Sequence, residues 1–298
     1  MRTTNARTNQ TPRILLLLVA AVALPAVLQP TARADSIAYT VNVTTNGTGT
    51  FGTIDLNTGV YTQLGVEANQ RGAGVGEVNG ELYTGDGFGP GSATFYQVNE
   101  TNGSFTDAGH GSFLIDGMGS TTNGLFAFSV GSSLQDALQD LYSVDPATGA
   151  DTLVGLTGIN AAGYDGFATS AGASVLYVAV GFPGSGAILY SLDPSTGEAT
   201  LIGNTGIGVE SMLFEDGILW AVASDNSIYT LNPTNGAAAF VATSDSLTSD
   251  GIRGGENLAP FETQQSVATP EPSALLLLGT GFMGLLRFPI RRGRIANP

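Results

Sequence analysis

Three aspartates stand at matching places in glycine-rich segments of this chain, and their carboxylates are suited to holding a cation. Asp116, Asp165 and Asp250 each directly precede a glycine. Oxygen ligands of this kind are the ones that Ca²⁺ prefers in proteins. If the three segments converge, the sequence predicts an acidic collar that binds Ca²⁺. An Asp-Gly pair is also typical of a turn ahead of a strand, and this simpler interpretation, which needs no ligand, is the one that the sequence favours.

Most other catalytic chemistry is excluded by the residues available. The chain has one histidine, His110, and neither cysteine nor lysine. Because His110 lies between two glycines, we expect a solvated turn residue rather than a general base. A Gly-x-Ser-x-Gly nucleophile motif is also absent from the sequence. We therefore expect a protein that is not an enzyme and has no cofactor other than Ca²⁺; the alternative is a hydrolase or lyase that uses carboxylates and a divalent metal.

The charge distribution separates a strongly acidic body from two basic ends. Between Asp35 and Pro270 the sequence contains 24 acidic residues and only two basic ones, Arg71 and Arg253, for a net charge of −22. Such a body repels phosphate backbones, so nucleic-acid binding is excluded as a function. The 42 glycines and the low charged content of 12% are typical of many short strands joined by tight turns.

The elements that must position these residues are repeated five times. Five similar hairpin segments begin at Phe51, Phe95, Leu141, Leu189 and Ile228. Their turn glycines, Gly59, Gly103, Gly149, Gly197 and Gly236, fall 44, 46, 48 and 39 residues apart. This spacing is typical of four-stranded propeller blades. Asp55, Asp145 and Asp193 open three of the turns, and we interpret them as turn formers rather than as ligands. Tyr, Phe and the single Trp220 are expected in the core.

A further strand precedes each hairpin, and a glycine-rich innermost strand precedes four of those. The first repeat lacks its innermost strand, whereas an extra segment, Ser249–Ile252, follows the last hairpin. We expect that segment to complete the first blade near Tyr39 and so to close a ring without a free sheet edge. The predicted fold is all-β, a five-bladed propeller. The insert from Ser132 to Asp140 is predicted to form one or two helical turns, with Leu134 and Leu138 on one face.

The N-terminus is typical of a secretory signal peptide. Three arginines precede an apolar run from Ile14 to Leu28, and Ala32-Arg33-Ala34 fits the small-x-small cleavage pattern. We expect cleavage between Ala34 and Asp35. A retained N-terminal anchor is the less favoured alternative, because Pro25 interrupts a run that is short for a membrane span.

The C-terminus has three parts in a fixed order. Pro270-Glu271-Pro272 is followed by an apolar run, Ala274 to Leu286, and then by four arginines. This order resembles the PEP-CTERM sorting signal. The resemblance implies recognition by a membrane-embedded exosortase, a transmembrane helix in the inner membrane and a basic end in the cytoplasm. The position of the arginines predicts the same topology by the positive-inside rule.

The body resembles bacterial propellers whose blades carry a Tyr-x-x-Asp-Pro-x-Thr-Gly hairpin, as at Tyr142 and Tyr190. That class contains binding proteins and several kinds of enzyme, so the fold alone implies no single function.

Together these features predict a signal peptide (1–34), a propeller (35–264) and a sorting tail (265–298). We expect an exported protein that is anchored in the inner membrane as an intermediate and then reaches the cell surface or extracellular matrix. Its expected partners are signal peptidase, an exosortase-type enzyme, and either an exopolysaccharide or a surface protein.

Overall fold

A computed structural model describes most of the body of the chain. The described residues are 36–43, 49–67, 72–86, 94–113, 115–121, 124–129, 138–160, 164–170, 175–181, 186–223, 225–244 and 258–261. All of them belong to one compact unit, Asp35–Pro298. The predicted signal peptide, the cleavage site at Ala34 and Asp35, and the tail from residue 262 onwards lie outside the described residues. None of the described residues forms a helix with the length and apolar character needed to cross a bilayer.

The described residues form twenty strands in five antiparallel blades. Blade 1 contains β1 (Ile37–Val43), β2 (Gly49–Asp55) and β3 (Tyr61–Glu67). Blade 2 contains β4 (Gly72–Val78), β5 (Glu81–Asp86), β6 (Thr94–Val98) and β7 (Phe105–His110). Blade 3 contains β8 (Ile115–Thr121), β9 (Gly124–Ser129), β10 (Leu138–Val144) and β11 (Asp151–Asn160). Blade 4 contains β12 (Tyr164–Ser170), β13 (Leu176–Gly181), β14 (Ile188–Leu192) and β15 (Ala199–Asn204). Blade 5 contains β16 (Val209–Glu215), β17 (Ile218–Ala223), β18 (Ser227–Leu231) and β19 (Ala238–Thr243).

The predicted closure of the ring is confirmed, with a different closing segment from the one expected. The last strand, β20 (Leu258–Pro260), pairs antiparallel with β1 and supplies the innermost strand of blade 1, with Ala259 opposite Tyr39. The expected segment, Ser249–Ile252, lies outside the described residues. Closure therefore occurs beside Tyr39, as predicted. The residues that close the ring begin eight positions after Asp250.

Five buried apolar clusters lie between successive blades. One of them joins Tyr39 and Phe51 of blade 1 to Leu82 and Val98 of blade 2. The cluster that closes the circle joins blade 5 to blade 1 and contains Trp220, which is 1% exposed and thus lies in the core as predicted. The other three clusters join blades 2 to 3, 3 to 4 and 4 to 5. Because burial of this apolar surface requires neighbouring blades, the blades stabilise one another.

The hairpin turns have the structure that the repeat predicts. In all five, an Asp or Asn side chain accepts a hydrogen bond from the backbone N–H two residues later; these residues are Asp55, Asn99, Asp145, Asp193 and Asn232. The glycine four residues after each of them has a φ between 66° and 79°, a conformation that glycine adopts without strain. The interpretation of Asp55, Asp145 and Asp193 as turn formers is confirmed.

Each turn packs against the outermost strand of the preceding blade. In four blades this strand contains a β-bulge followed by a glycine, at Gly65, Gly109, Gly155 and Gly203. A Cβ on any of these glycines would collide with a backbone carbonyl oxygen of the next blade's turn. At the closing junction Ala242 has the equivalent place, and the hydroxyl of Ser244 donates a hydrogen bond to the carbonyl of Gly59. Close backbone contact therefore repeats around the ring.

The predicted helical insert is partly wrong. Residues Leu138 to Asp140 belong to β10, where Leu138 pairs with Asn160 and Asp140 with Leu156. Residues 130–137 lie outside the described residues. Hydrogen bonding to β11 outweighs the helical spacing of the two leucines.

Candidate functional site

Two regions of the body are candidates for function: the end of the channel where the innermost strands begin, and the outer rim of blade 3. The sequence pointed to the first region and missed the second. In each region, equivalent strand positions of the repeat carry different side chains in different blades.

The innermost strands place three acids at corresponding positions. Asp116 in β8 and Glu210 in β16 are the extra residues of two β-bulges, and Asp165 in β12 pairs with Val180. Glu210 is 8% exposed. The side chains of Asp116 and Asp165 are outside the described set, so the predicted collar stays a prediction.

In the other two blades, the described residues contain no acid at the corresponding position. In blade 2, the residue two before Val75 is Ala73, and Arg71 lies outside the described residues. In blade 1 the described innermost strand starts at Leu258, eight residues after Asp250. Asp250 itself lies outside the described residues. Among the side chains that the structure describes, no three carboxylate or histidine groups come together as a metal site.

The histidine ends a strand rather than lying in a loop. His110 is the last residue of β7, with a side chain that is 63% exposed. Its Nδ1 lies 3.2 Å from the Thr94 hydroxyl, and its Nε2 lies 4.0 Å from a carboxylate oxygen of Asp107. It is exposed, as the sequence predicted.

An open pocket of about 350 Å³ lies beside the hairpin turn of blade 4. It is lined by Val175, Ser191, Leu192, Asp193, Pro194, Glu198 and Thr200. The Asp193 carboxylate accepts hydrogen bonds from the hydroxyl and the N–H of Ser195, at 2.6 and 2.8 Å. These hydrogen bonds lower the pKa of Asp193. The Asp193 carboxylate therefore serves its own turn.

The outer rim of blade 3 combines apolar and acidic side chains on one face. We define the blade 3 rim as Asp140, Tyr142, Asp151, Leu153 and Leu156. Asp140 is opposite Leu156, Tyr142 is opposite Leu153, and Asp151 is opposite Val144. Because directly opposed residues share a face of the sheet, all five lie on the same face. Val144 packs with Tyr83 and Phe95, so this face is turned towards blade 2.

The apolar part of the blade 3 rim is unusually exposed. Leu153 is 50% exposed and Leu156 is 67% exposed. Phe113 stacks against Tyr142, with ring centroids 4.0 Å apart and an interplanar angle of 28°. Ser112 fixes that connecting segment, because its N–H and hydroxyl both donate to the carboxylate of Asp151. A sheet face of this kind is a surface for contact rather than for chemistry.

The same rim position is occupied differently in the other blades. Blades 4 and 5 repeat the tyrosine with an exposed apolar partner, as Tyr190 opposite Leu201 and Tyr229 opposite Phe240. In blade 2 the residue opposite Tyr96 is Asp107. The tyrosine of the repeated hairpin marks this rim position in the sequence. Asp140 reaches the rim only through strand pairing, which the prediction of a helix did not include.

Comparison with protein families identifies the tail of the chain. Residues 268–292 match the PEP-CTERM protein-sorting motif, which includes Pro270, Glu271 and Pro272. The motif implies an exported protein that is anchored in the membrane and then processed by an exosortase. No curated protein matches the chain.

Several solved structures are distantly similar to this chain. A chain of the nidogen/laminin complex is 11% identical with a TM-score of 0.47, and the match covers 69% of this chain and 77% of that one. TolB from Acinetobacter baumannii is 11% identical with a TM-score of 0.45, covering 68% and 52%. Myxococcus xanthus glutaminyl cyclase is 13% identical with a TM-score of 0.38, covering 57% and 68%. These similarities include enzymes and proteins that are not enzymes, and they carry no argument about function.

Proposed function

We propose that this protein is a binding module without enzymatic activity, displayed at the cell surface or in the extracellular matrix after its tail has been processed. The observation that carries the proposal is the sorting motif at residues 268–292. A protein that is exported and then released from its tail acts outside the inner membrane, where a propeller offers a large rigid surface. The acidic body, with a net charge of −22 between Asp35 and Pro270, suits cationic or neutral partners.

The arrangement of the chain ends supports display of the propeller from a tether. Ser36 accepts a hydrogen bond from the N–H of Leu56, beside the hairpin turn of blade 1. Pro260 pairs with Ala38, close to the same place. The described body therefore begins and ends at the end of the propeller that carries the Asp and Asn turns. The proposal places partner binding at the opposite end or on the outer rim.

The proposal is tested by sorting in a bacterium that has an exosortase, with an epitope tag inserted after Asp35. We expect the native chain to appear outside the cell as a shortened form. Replacing Glu271 in the motif by alanine should leave a full-length form in the membrane fraction, because the recognised element is changed. Glu262→Ala, which removes one acid outside the matched residues, should be sorted normally.

Disruption of the host's exosortase gene should give the same membrane-bound form as Glu271→Ala. The proposal would be contradicted if Glu271→Ala were processed normally in the intact host and the native chain were processed normally in the disrupted host. Release of the full-length chain with its tail intact would also contradict it.

A further inference from the structure

We propose that the blade 3 rim binds a basic and apolar segment of a protein partner, with an arginine or lysine side chain beside Asp140. This inference rests on the proposed role of the propeller as a binding module and names the partner class for one surface. It is carried by the partly buried carboxylate of Asp140, by the exposed leucines beside it and by the charge of the body.

The first step is the environment of Asp140. Its Oδ1 atom is buried and has no hydrogen-bond donor among the described residues. Burial also raises the pKa of this carboxyl group, because the charged form loses solvation. A buried carboxylate oxygen without a donor is costly, and a cation from a partner beside the partly buried Asp140 side chain would offset part of that cost by favouring the charged form.

The second step is the rest of the local charge. Burial raises the pKa of Tyr142, and the nearby carboxylates of Asp140 and Asp151 raise it further. Asp151 already accepts two hydrogen bonds from Ser112, whereas Asp140 Oδ1 accepts none from the described residues. Both arginines of the body, Arg71 and Arg253, lie outside the described residues. The described part of the rim therefore carries two carboxylates and no described basic side chain.

The third step is the apolar surface beside the charge. Leu153 and Leu156 expose aliphatic side chains, and Phe113 covers one face of the Tyr142 ring. Carbohydrates prefer open aromatic faces, whereas aliphatic surface next to a carboxylate suits the apolar and basic side chains of a polypeptide. A second copy of this chain is disfavoured as the occupant, because two bodies with a charge of −22 repel each other.

In blade 4, the positions equivalent to the two acids of the blade 3 rim carry apolar residues. Ile188 replaces Asp140 and Ala199 replaces Asp151, while Tyr190 and Leu201 repeat the apolar pair. An apolar pair alone is thus part of the repeat, and the two carboxylates are particular to blade 3. This makes Leu201 in blade 4 a matched control for Leu153 in blade 3.

The test is binding of fluorescein-labelled peptides to the purified full chain, measured by fluorescence anisotropy. The first peptide alternates arginine and leucine over eight residues; the second has glutamate in place of arginine, and the third has serine in place of leucine. We expect the first peptide to bind at least tenfold more tightly than the other two. A fourth peptide reproduces residues 285–298, the basic end of this chain.

Variants locate the site. We expect Asp140→Asn and Leu153→Ser each to weaken binding of the arginine–leucine peptide by about tenfold, equivalent to about 1.4 kcal/mol. Asp216→Asn, which removes one charge from an exposed turn, and Leu201→Ser in blade 4 should each change binding by less than twofold. Trp220 fluorescence on urea unfolding checks that every variant is folded.

Equal binding of the glutamate and arginine peptides would overturn the proposal, as would an equal loss of binding in Asp140→Asn and Asp216→Asn. Tighter binding of the 285–298 peptide would also overturn it, because the occupant would then be this chain's own tail. Sorting of the Asp140→Asn chain is followed separately; since Asp140 is remote in sequence from the motif, failure of the peptide test with normal sorting rejects this inference alone.

Discussion

Blades 3 and 4 share the features that build the ring and differ in those that face solvent. Both have an aspartate-initiated turn, at Asp145 and Asp193, and both have a glycine after the bulge of the outermost strand, at Gly155 and Gly203. In each case the turn of the following blade lies directly on that glycine. These positions repeat because a change in any one of them disturbs two blades.

At the rim the two blades diverge. Asp140 and Asp151 of blade 3 correspond to Ile188 and Ala199 of blade 4, around the repeated tyrosine. Positions that contact a neighbouring blade are constrained by packing, whereas rim positions are limited only by solubility. Asp140 and Asp151 therefore distinguish the rim of blade 3 from that of blade 4.

The largest effect should come from adding a side chain at the blade junctions. Gly155→Val and Gly203→Val should each lower the free energy of unfolding by about 3 kcal/mol, because the new Cβ collides with the carbonyl oxygens of Thr196 and Asn235 respectively. Urea denaturation followed by fluorescence of buried Trp220 measures this. Similar losses in both blades would support their equivalence in packing.

Matched controls for this pair lie on the same strands. Thr152→Val in β11 and Thr200→Val in β15 replace exposed residues by others of the same shape, and each should change stability by less than about 0.5 kcal/mol. A tolerated valine at either glycine would show that the turn contact is not needed there, and would break the equivalence of the blades.

A smaller effect is expected at the turns. Asp145→Ala removes an acceptor for the N–H of Ala147 and for the hydroxyl of Thr148, at 2.9 Å each. Asp193→Ala removes the corresponding acceptor in blade 4. We expect each to lower the melting temperature by roughly 2 °C, measured by circular dichroism. Asn at either position should restore most of the loss, since Asn99 and Asn232 form the same turn; equal damage by Ala and Asn would contradict the assigned role.

The repeat makes most of the ring predictable from the sequence. The remaining features depend on which strands pair with each other. The turn glycines and the missing first strand predicted five blades and closure beside Tyr39, because both depend on spacing along the chain. Glycine-rich composition predicts Ser249–Ile252 as the closing strand, yet Leu258–Pro260 pairs with β1. Apolar spacing predicts a helix up to Asp140, and only the pairing of Asp140 with Leu156 places it at the rim. Register between distant segments is not encoded in composition.

The smallest expected effect is a pH dependence of stability that arises from the rim of blade 3 and not from that of blade 4. Burial raises the pKa of Asp140 in the folded state, so the folded protein holds this proton at pH values where the unfolded chain has lost it. Stability therefore falls as the pH rises through that window, and the cost is fully present at neutral pH. Asp140→Asn should remove it, raising stability at pH 7 by less than about 1 kcal/mol because solvent screens a partly exposed group.

Urea denaturation of the Asp140→Asn and native chains between pH 4 and pH 7 measures this difference, which should shrink as the pH falls. Ile188→Val changes the equivalent position in blade 4, where no titratable group is present, so its effect should not depend on pH. A constant difference between Asp140→Asn and the native chain across this range would mean that Asp140 is solvated like any surface carboxylate. The rim of blade 3 would then differ from that of blade 4 in net charge alone, without the burial cost that a cationic partner would offset.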